Sequence, residues 1–138
     1  MPVLSRPTQF GPFVFSLWAL LSGCQVDPTA TLDSLVGPVW VVQTLDGATF
    51  PAVATLQLSQ DGKVAGKAPC NRYFGAVKFS GSDIAIGPLA STRMACEALD
   101  DETRYLLALA DMTQVKLSRG QLILRGPSGR ELTFKKQN

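Results

Sequence analysis

The sequence predicts an α+β domain, a curved antiparallel sheet or partly open barrel of seven or eight strands with one helix. Three observations lead there. Apolar and polar residues alternate with period two along most of the chain beyond Gly37. Turn-forming pairs such as Asp46-Gly47, Asp61-Gly62 and Arg119-Gly120 interrupt that alternation at short intervals. One stretch, Asp100 to Met112, switches to helical spacing.

The first strand is Val39 to Leu45, ending at Asp46-Gly47. Ala54 to Ser59 alternates and meets Asp61-Gly62, a strong hairpin signal, so Lys63 to Lys67 is its partner. Phe74 to Phe79 and Asp83 to Ile86 form a second pair across Ser80-Gly81-Ser82. Between Asp100 and Met112, the residues Tyr105, Leu106, Leu109 and Met112 make an apolar stripe about three turns long. Asp100, Asp101 and Glu102 stand at its start, where acids cap free N–H groups and favour the helix dipole. A lone helix cannot bury its stripe, so it packs on the sheet or plugs one end of it. The closing strands are Gln114 to Ser118, Gln121 to Arg125, and Arg130 to Lys135, separated by Arg119-Gly120 and by Gly126 to Gly129.

The N-terminal quarter reads differently. Arg6 is the one charge before Asp27, and an apolar segment runs from Phe13 to Leu21. A membrane span needs about 20 apolar residues, so this run fits the hydrophobic region of a signal peptide. Leu21-Ser22-Gly23-Cys24 follows and resembles a lipobox, the pattern that marks a cysteine for diacylglycerol attachment and for cleavage before it. Residues 1–23 are therefore expected to be a lipoprotein signal peptide, 24–35 a tether and 36–138 the folded domain. Two or more acyl chains anchor a protein stably, at about 0.8 kcal/mol per buried CH₂. Gln25, where some lipoproteins carry Asp, resembles the default for outer-membrane sorting. The expected location is the cell envelope, lipid-anchored, facing the periplasm from the outer membrane.

Composition narrows the function classes. Of 138 residues, 13 are Lys or Arg and 11 Asp or Glu. Removal of residues 1–23 takes only Arg6, so the mature chain has a net charge near +1, with its basic residues scattered. That is no electrostatic footprint for nucleic acid. Histidine is absent, which removes the commonest metal ligand and the usual acid/base group at neutral pH. Three cysteines are an odd number. Lipidation of Cys24 uses one and leaves Cys70 and Cys96 to pair in an oxidising compartment. Closing that loop of about 27 residues contributes about 3–4 kcal/mol in the chain-entropy view.

The two cysteines sit in distinctive surroundings, Gly66-Lys67-Ala68-Pro69-Cys70-Asn71-Arg72-Tyr73-Phe74-Gly75 and Thr92-Arg93-Met94-Ala95-Cys96. Together they resemble the META domain family, whose bacterial members include HslJ-like envelope proteins. The resemblance extends to Leu35 through Trp40, to the helix Glu102–Leu109 and to the closing strands, about residues 35–135. Val77 departs from it, because members usually have an aromatic there. The resemblance implies a small α+β envelope or stress-associated module, and many members are lipoproteins. It implies no reaction.

No catalytic constellation stands out. A cysteine nucleophile needs a base, and without histidine only Lys, Asp or Glu remains. Cys70 and Cys96 do not match zinc spacing, and Asp100 to Glu102 reads as a solvated helix start rather than a cation site. Asn71, Arg72, Thr92 and Arg93 form a candidate binding surface near the cysteine pair. The competing reading has Asn71, Thr92 and Arg93 fixing turns, with Asn71 in an unusual backbone conformation and Thr92 and Arg93 bonding loop carbonyls. Trp40 and Tyr73 read as core aromatics. The sequence thus points to a non-enzymatic monomer without metal or cofactor, held to the membrane by lipid and binding an envelope protein. The alternative is a small hydrolase or a protease inhibitor. An enzyme predicts a deep pocket; an inhibitor predicts a rigid exposed loop, with Gly87–Arg93 the candidate.

Overall fold

The computed structural model of the chain describes Gly11 and residues 32–138. The expected signal peptide, Cys24 and most of the tether lie outside the described residues. The domain starts with a short helix α1 (Leu32–Leu35), whose Leu35 is buried. Packed structure therefore begins inside the stretch read as tether. The strands are β1 (Val39–Leu45), β2 (Ala48–Thr49), β3 (Thr55–Leu58), β4 (Lys63–Lys67), β5 (Arg72–Ser80), β6 (Asp83–Ile86) and β7 (Ala90–Ser91). Helix α2 (Leu99–Ala110) precedes β8 (Gln114–Ser118), β9 (Gln121–Arg125) and β10 (Glu131–Lys136).

Alternation dictates the strands. In β5, Tyr73 and Val77 turn inward, while Arg72, Phe74, Ala76 and Lys78 face water. In β3, Leu56 and Leu58 turn inward, and in β9 Leu122 and Leu124 do so. Val77, the residue that departs from the resemblance, is buried and fills a core position on β5.

The sheet closes on itself. The order β1-β3-β4-β5-β6-β8-β9-β10 returns to β1, with every pairing antiparallel, giving an eight-stranded barrel rather than a partly open one. The closing ladder runs from Trp40↔Lys136 to Leu45↔Leu132. β2 and β7 are short additions, on β1 and β5 respectively. The thinnest seam is β6–β8, one paired position (Asp83↔Gln114) with bonds from Ile84 N–H to the Thr113 carbonyl (3.0 Å) and from Val115 N–H to that of Ser82 (2.8 Å).

Antiparallel closure sorts the connections onto two ends. One end carries the β3–β4, β5–β6 and β8–β9 turns, α1, the start of β1 and the finish of β10. There the Trp40 indole N–H donates to the Leu35 carbonyl at 3.1 Å. The other end carries the β1–β3, β4–β5 and β9–β10 connections and the long segment from residue 87 to 113. Helix α2 plugs that end, as expected. Its buried face is Glu102, Tyr105, Ala108 and Leu109, and the Tyr105 ring meets Phe50 at 5.9 Å and Phe134 at 6.5 Å between centroids.

Candidate functional site

The polar centre of the molecule lies at the α2 end, where the two cysteine motifs meet. Cys70 and Cys96 are bonded, with Cα atoms 5.8 Å apart, inside the limit of about 7 Å for a disulfide. The bond ties the β4–β5 connection to the loop between β7 and α2.

Beside it, the Asn71 side chain uses its whole hydrogen-bonding capacity. Its Nδ2 donates to the Met94 carbonyl (3.0 Å) and to Glu102 Oε1 (2.6 Å). Its Oδ1 accepts from Met94 N–H (2.6 Å) and from the Thr92 hydroxyl (3.0 Å). Thr92 Oγ1 in turn accepts from Arg72 N–H at 3.2 Å. The backbone of Asn71 is not in the left-handed region, where Asp46 and Arg119 are the non-glycine residues among those described. Asn71 therefore fixes the loop through its side chain and not through an unusual backbone angle.

Glu102 was the residue hardest to place from sequence. It belongs to the acidic first turn of α2, but α2 has no side-chain cap bond at its N-terminus, and Glu102 is 3% exposed. Its Oε2 accepts from the successive backbone N–H groups of Cys70 (2.8 Å) and Asn71 (2.7 Å). Two adjacent N–H groups aimed at one anion form a nest, and bonds to a charged acceptor are the stronger kind. The carboxylate thus holds the disulfide-bearing connection to the helix. The signal for it was periodicity, because Glu102 lies three residues before Tyr105 and so falls on the buried stripe of α2. Asp100 stays exposed and Asp101 pairs with Arg104 at 3.3 Å, the surface behaviour expected of all three acids.

A second buried polar pair lies deeper. The Tyr73 and Tyr105 hydroxyls are 2.9 Å apart, and both reach the Thr55 carbonyl, at 2.7 and 3.3 Å. Burial pushes both phenols well above their usual range, because an ionised phenolate has no water there. Gly66 makes room for this arrangement. A Cβ on Gly66 would collide with the Thr55 carbonyl oxygen and come within 2.7 Å of the Tyr73 hydroxyl. Gly75 similarly lets the chain at Pro88-Leu89 cross β5, since a Cβ there would stand 2.9 Å from Leu89 Cδ2.

The candidate binding residues divide. Asn71, Thr92, Arg93, Met94, Leu99 and Glu102 border one open groove of about 370 Å³. A neighbouring groove of about 350 Å³ runs between β7 and α2, along Leu89, Ser91, Leu106 and Leu107. Arg72 points elsewhere, to the outer wall of the barrel. Met94 and Leu107, about two-thirds exposed, and Leu99 give this end an apolar surface. Among the described residues no cluster of three or more metal-ligating side chains forms, and no helix is long and apolar enough to cross a membrane.

Solved structures share this architecture. A protein from Burkholderia xenovorans, solved by NMR, is 26% identical over 100% of this chain and 99% of its own, with a TM-score of 0.64. A second NMR structure is 24% identical over 76% of this chain and 93% of its own, with a TM-score of 0.61. A DUF4847 family protein from Bacteroides vulgatus, at 11% identity, covers 77% of this chain and 98% of its own with a TM-score of 0.63, which shows a shared fold. No curated protein matches the chain. The family profile of the META domain matches residues 33–138, nearly all that the structure describes, and the chain therefore belongs to the META domain family.

Proposed function

We propose that this protein is a cell-envelope lipoprotein, anchored through Cys24, whose META domain binds an envelope protein at its α2 end without catalysing a reaction. The observation that carries this reading is the fate of the polar groups. Asn71 and Glu102, buried polar residues at the α2 end, are taken up in holding the loop between β7 and α2. Among the polar side chains that this end exposes, such as Arg93, Glu97 and Asp100, it also presents three large apolar ones, Met94 in the clamped loop and Leu99 and Leu107 on α2. An exposed apolar patch rimmed by polar residues is the kind of surface that marks an interaction site. The lipobox Leu21-Ser22-Gly23-Cys24 supports the anchor. The described chain enters the barrel beside α1, at the end opposite α2.

A second reading, a protease inhibitor, draws on the same clamp. Residues 90–97 are all exposed, yet Thr92 N–H bonds the Arg72 carbonyl (3.0 Å), and the disulfide and Asn71 hold the rest.

Two measurements test the proposal. Cys24→Ser should leave the membrane fraction and take up no labelled palmitate; a variant that does neither removes the anchor. Wild-type protein cross-linked in the envelope should capture a discrete partner that Met94→Asp/Leu107→Asp no longer captures. Equal capture by both rejects the α2 end as the binding surface, and inhibition of an envelope protease by the purified chain favours the second reading.

A further inference from the structure

On the outer wall of the barrel, reaching to its α2 end but lined by none of the residues of the two grooves there, β3, β4 and β5 form a concavity of about 400 Å³. Its floor is low because Ala65, facing outward on β4, has only a methyl group, and Phe74, its cross-strand neighbour and 61% exposed, stands beside it. At one rim are Lys67 and Arg72, directly opposite each other across β4–β5. Lys67 N–H bonds the Thr55 hydroxyl (2.9 Å) and Arg72 N–H that of Thr92 (3.2 Å), so neither bonds across the ladder. Theirs is thus a non-hydrogen-bonded pair, the type whose side chains are closest. Two cations placed there repel and destabilise the sheet. Among the described residues, neither has a carboxylate within ion-pair distance, and no acid lines the concavity.

We infer that this concavity binds a small amphiphilic anion, a carboxylate or phosphate on an aromatic or aliphatic body. Lys67 and Arg72 hold the head group. The guanidinium offers a planar fork to two oxygens, and the ammonium a compact charge beside it. The body lies over Ala65 and Gly66 against the Phe74 ring, an aromatic face that otherwise remains in water. The volume is at the small end of the usual range for small-molecule sites, roughly 300–1,000 Å³. The arrangement explains both anomalies together, because a bound anion relieves the repulsion and covers the ring.

The test is NMR titration of the full chain in zwitterionic micelles with phenylacetate and phenyl phosphate. Acetate and inorganic phosphate serve as heads without a body, and benzyl alcohol as a body without a charge. The expected result is saturable shifts at Ala65, Gly66, Lys67 and Phe74 for at least one aryl anion, weaker in high salt. The tighter of the two identifies the head group. Lys67→Gln/Arg72→Gln should weaken binding at least tenfold and raise the unfolding midpoint, since it removes repulsion. Phe74→Ala should weaken the aryl anions without affecting their body-free counterparts, and Lys116→Gln, on another part of the wall, should change nothing. Equal shifts from benzyl alcohol, unweakened binding by the double variant, or no saturable shift with either anion overturns the inference.

Discussion

Asn71 and Glu102 show how one residue can decide a loop. Replacing Asn71 by Ala removes four side-chain hydrogen bonds and leaves Met94 N–H and one Glu102 oxygen without their partner. A buried group left unsatisfied costs about 1–3 kcal/mol, so Asn71→Ala should lower stability by about 3 kcal/mol, read from the denaturant midpoint. Glu102→Gln should cost less than Glu102→Ala. Its amide oxygen can still accept from Cys70 and Asn71 N–H, but its NH₂ then faces Asn71 Nδ2, donor against donor. Equal losses for the two variants would show that the acceptor oxygens do not matter. Asn71 and Thr92 were legible in the sequence as motif residues that fix turns. Glu102 was not, because three acids at a helix start look alike until the loop that supplies the N–H groups is in place.

At the level of elements, the eight barrel strands and α2 were legible, since each carries several alternating or helical positions bounded by turn residues. α1, β2 and β7 were not, because four, two and two residues are too few to show a period. They exist through tertiary pairing, β7 by lying along Tyr73 and Phe74. Gly66 tests the β3–β4 contact. Gly66→Ala drives a methyl into the Thr55 carbonyl and should cost about 1–3 kcal/mol, the usual range for overpacking, whereas Gly87→Ala, whose Cβ would meet Ala76 only at ordinary contact distance, should cost less. Amide exchange of β3 and β4 would show whether the loss is local. The disulfide is the other link between elements. Cys70→Ser/Cys96→Ser should lower stability by about 3–4 kcal/mol, and exchange should rise first across residues 88–98.

The whole molecule should respond to alkali through its tyrosines. Both buried phenols stay protonated in the folded state well above the value near 10.0 that they have in water. Folding therefore retains protons that the unfolded chain releases. Stability is fully present below pH 10 and is lost as pH rises beyond it. Each raised tyrosine contributes up to about 1.4 kcal/mol per pH unit, so the pair should cost roughly 2–3 kcal/mol by pH 11. Tyr73→Phe/Tyr105→Phe should flatten this slope while lowering stability at pH 8; an unchanged slope would show that other groups cause it. Closure of the barrel has a separate consequence. Because β1 and β10 are neighbours, Trp40 facing Lys136, the described chain enters and leaves on the same side. A short linker between residues 138 and 32, keeping α1, should therefore permit circular permutation, with new termini cut at the exposed Gln60–Asp61 turn on that side. Immobilised through either natural or permuted termini, the domain would turn the same disulfide-clamped face away from the sensor surface and toward solution.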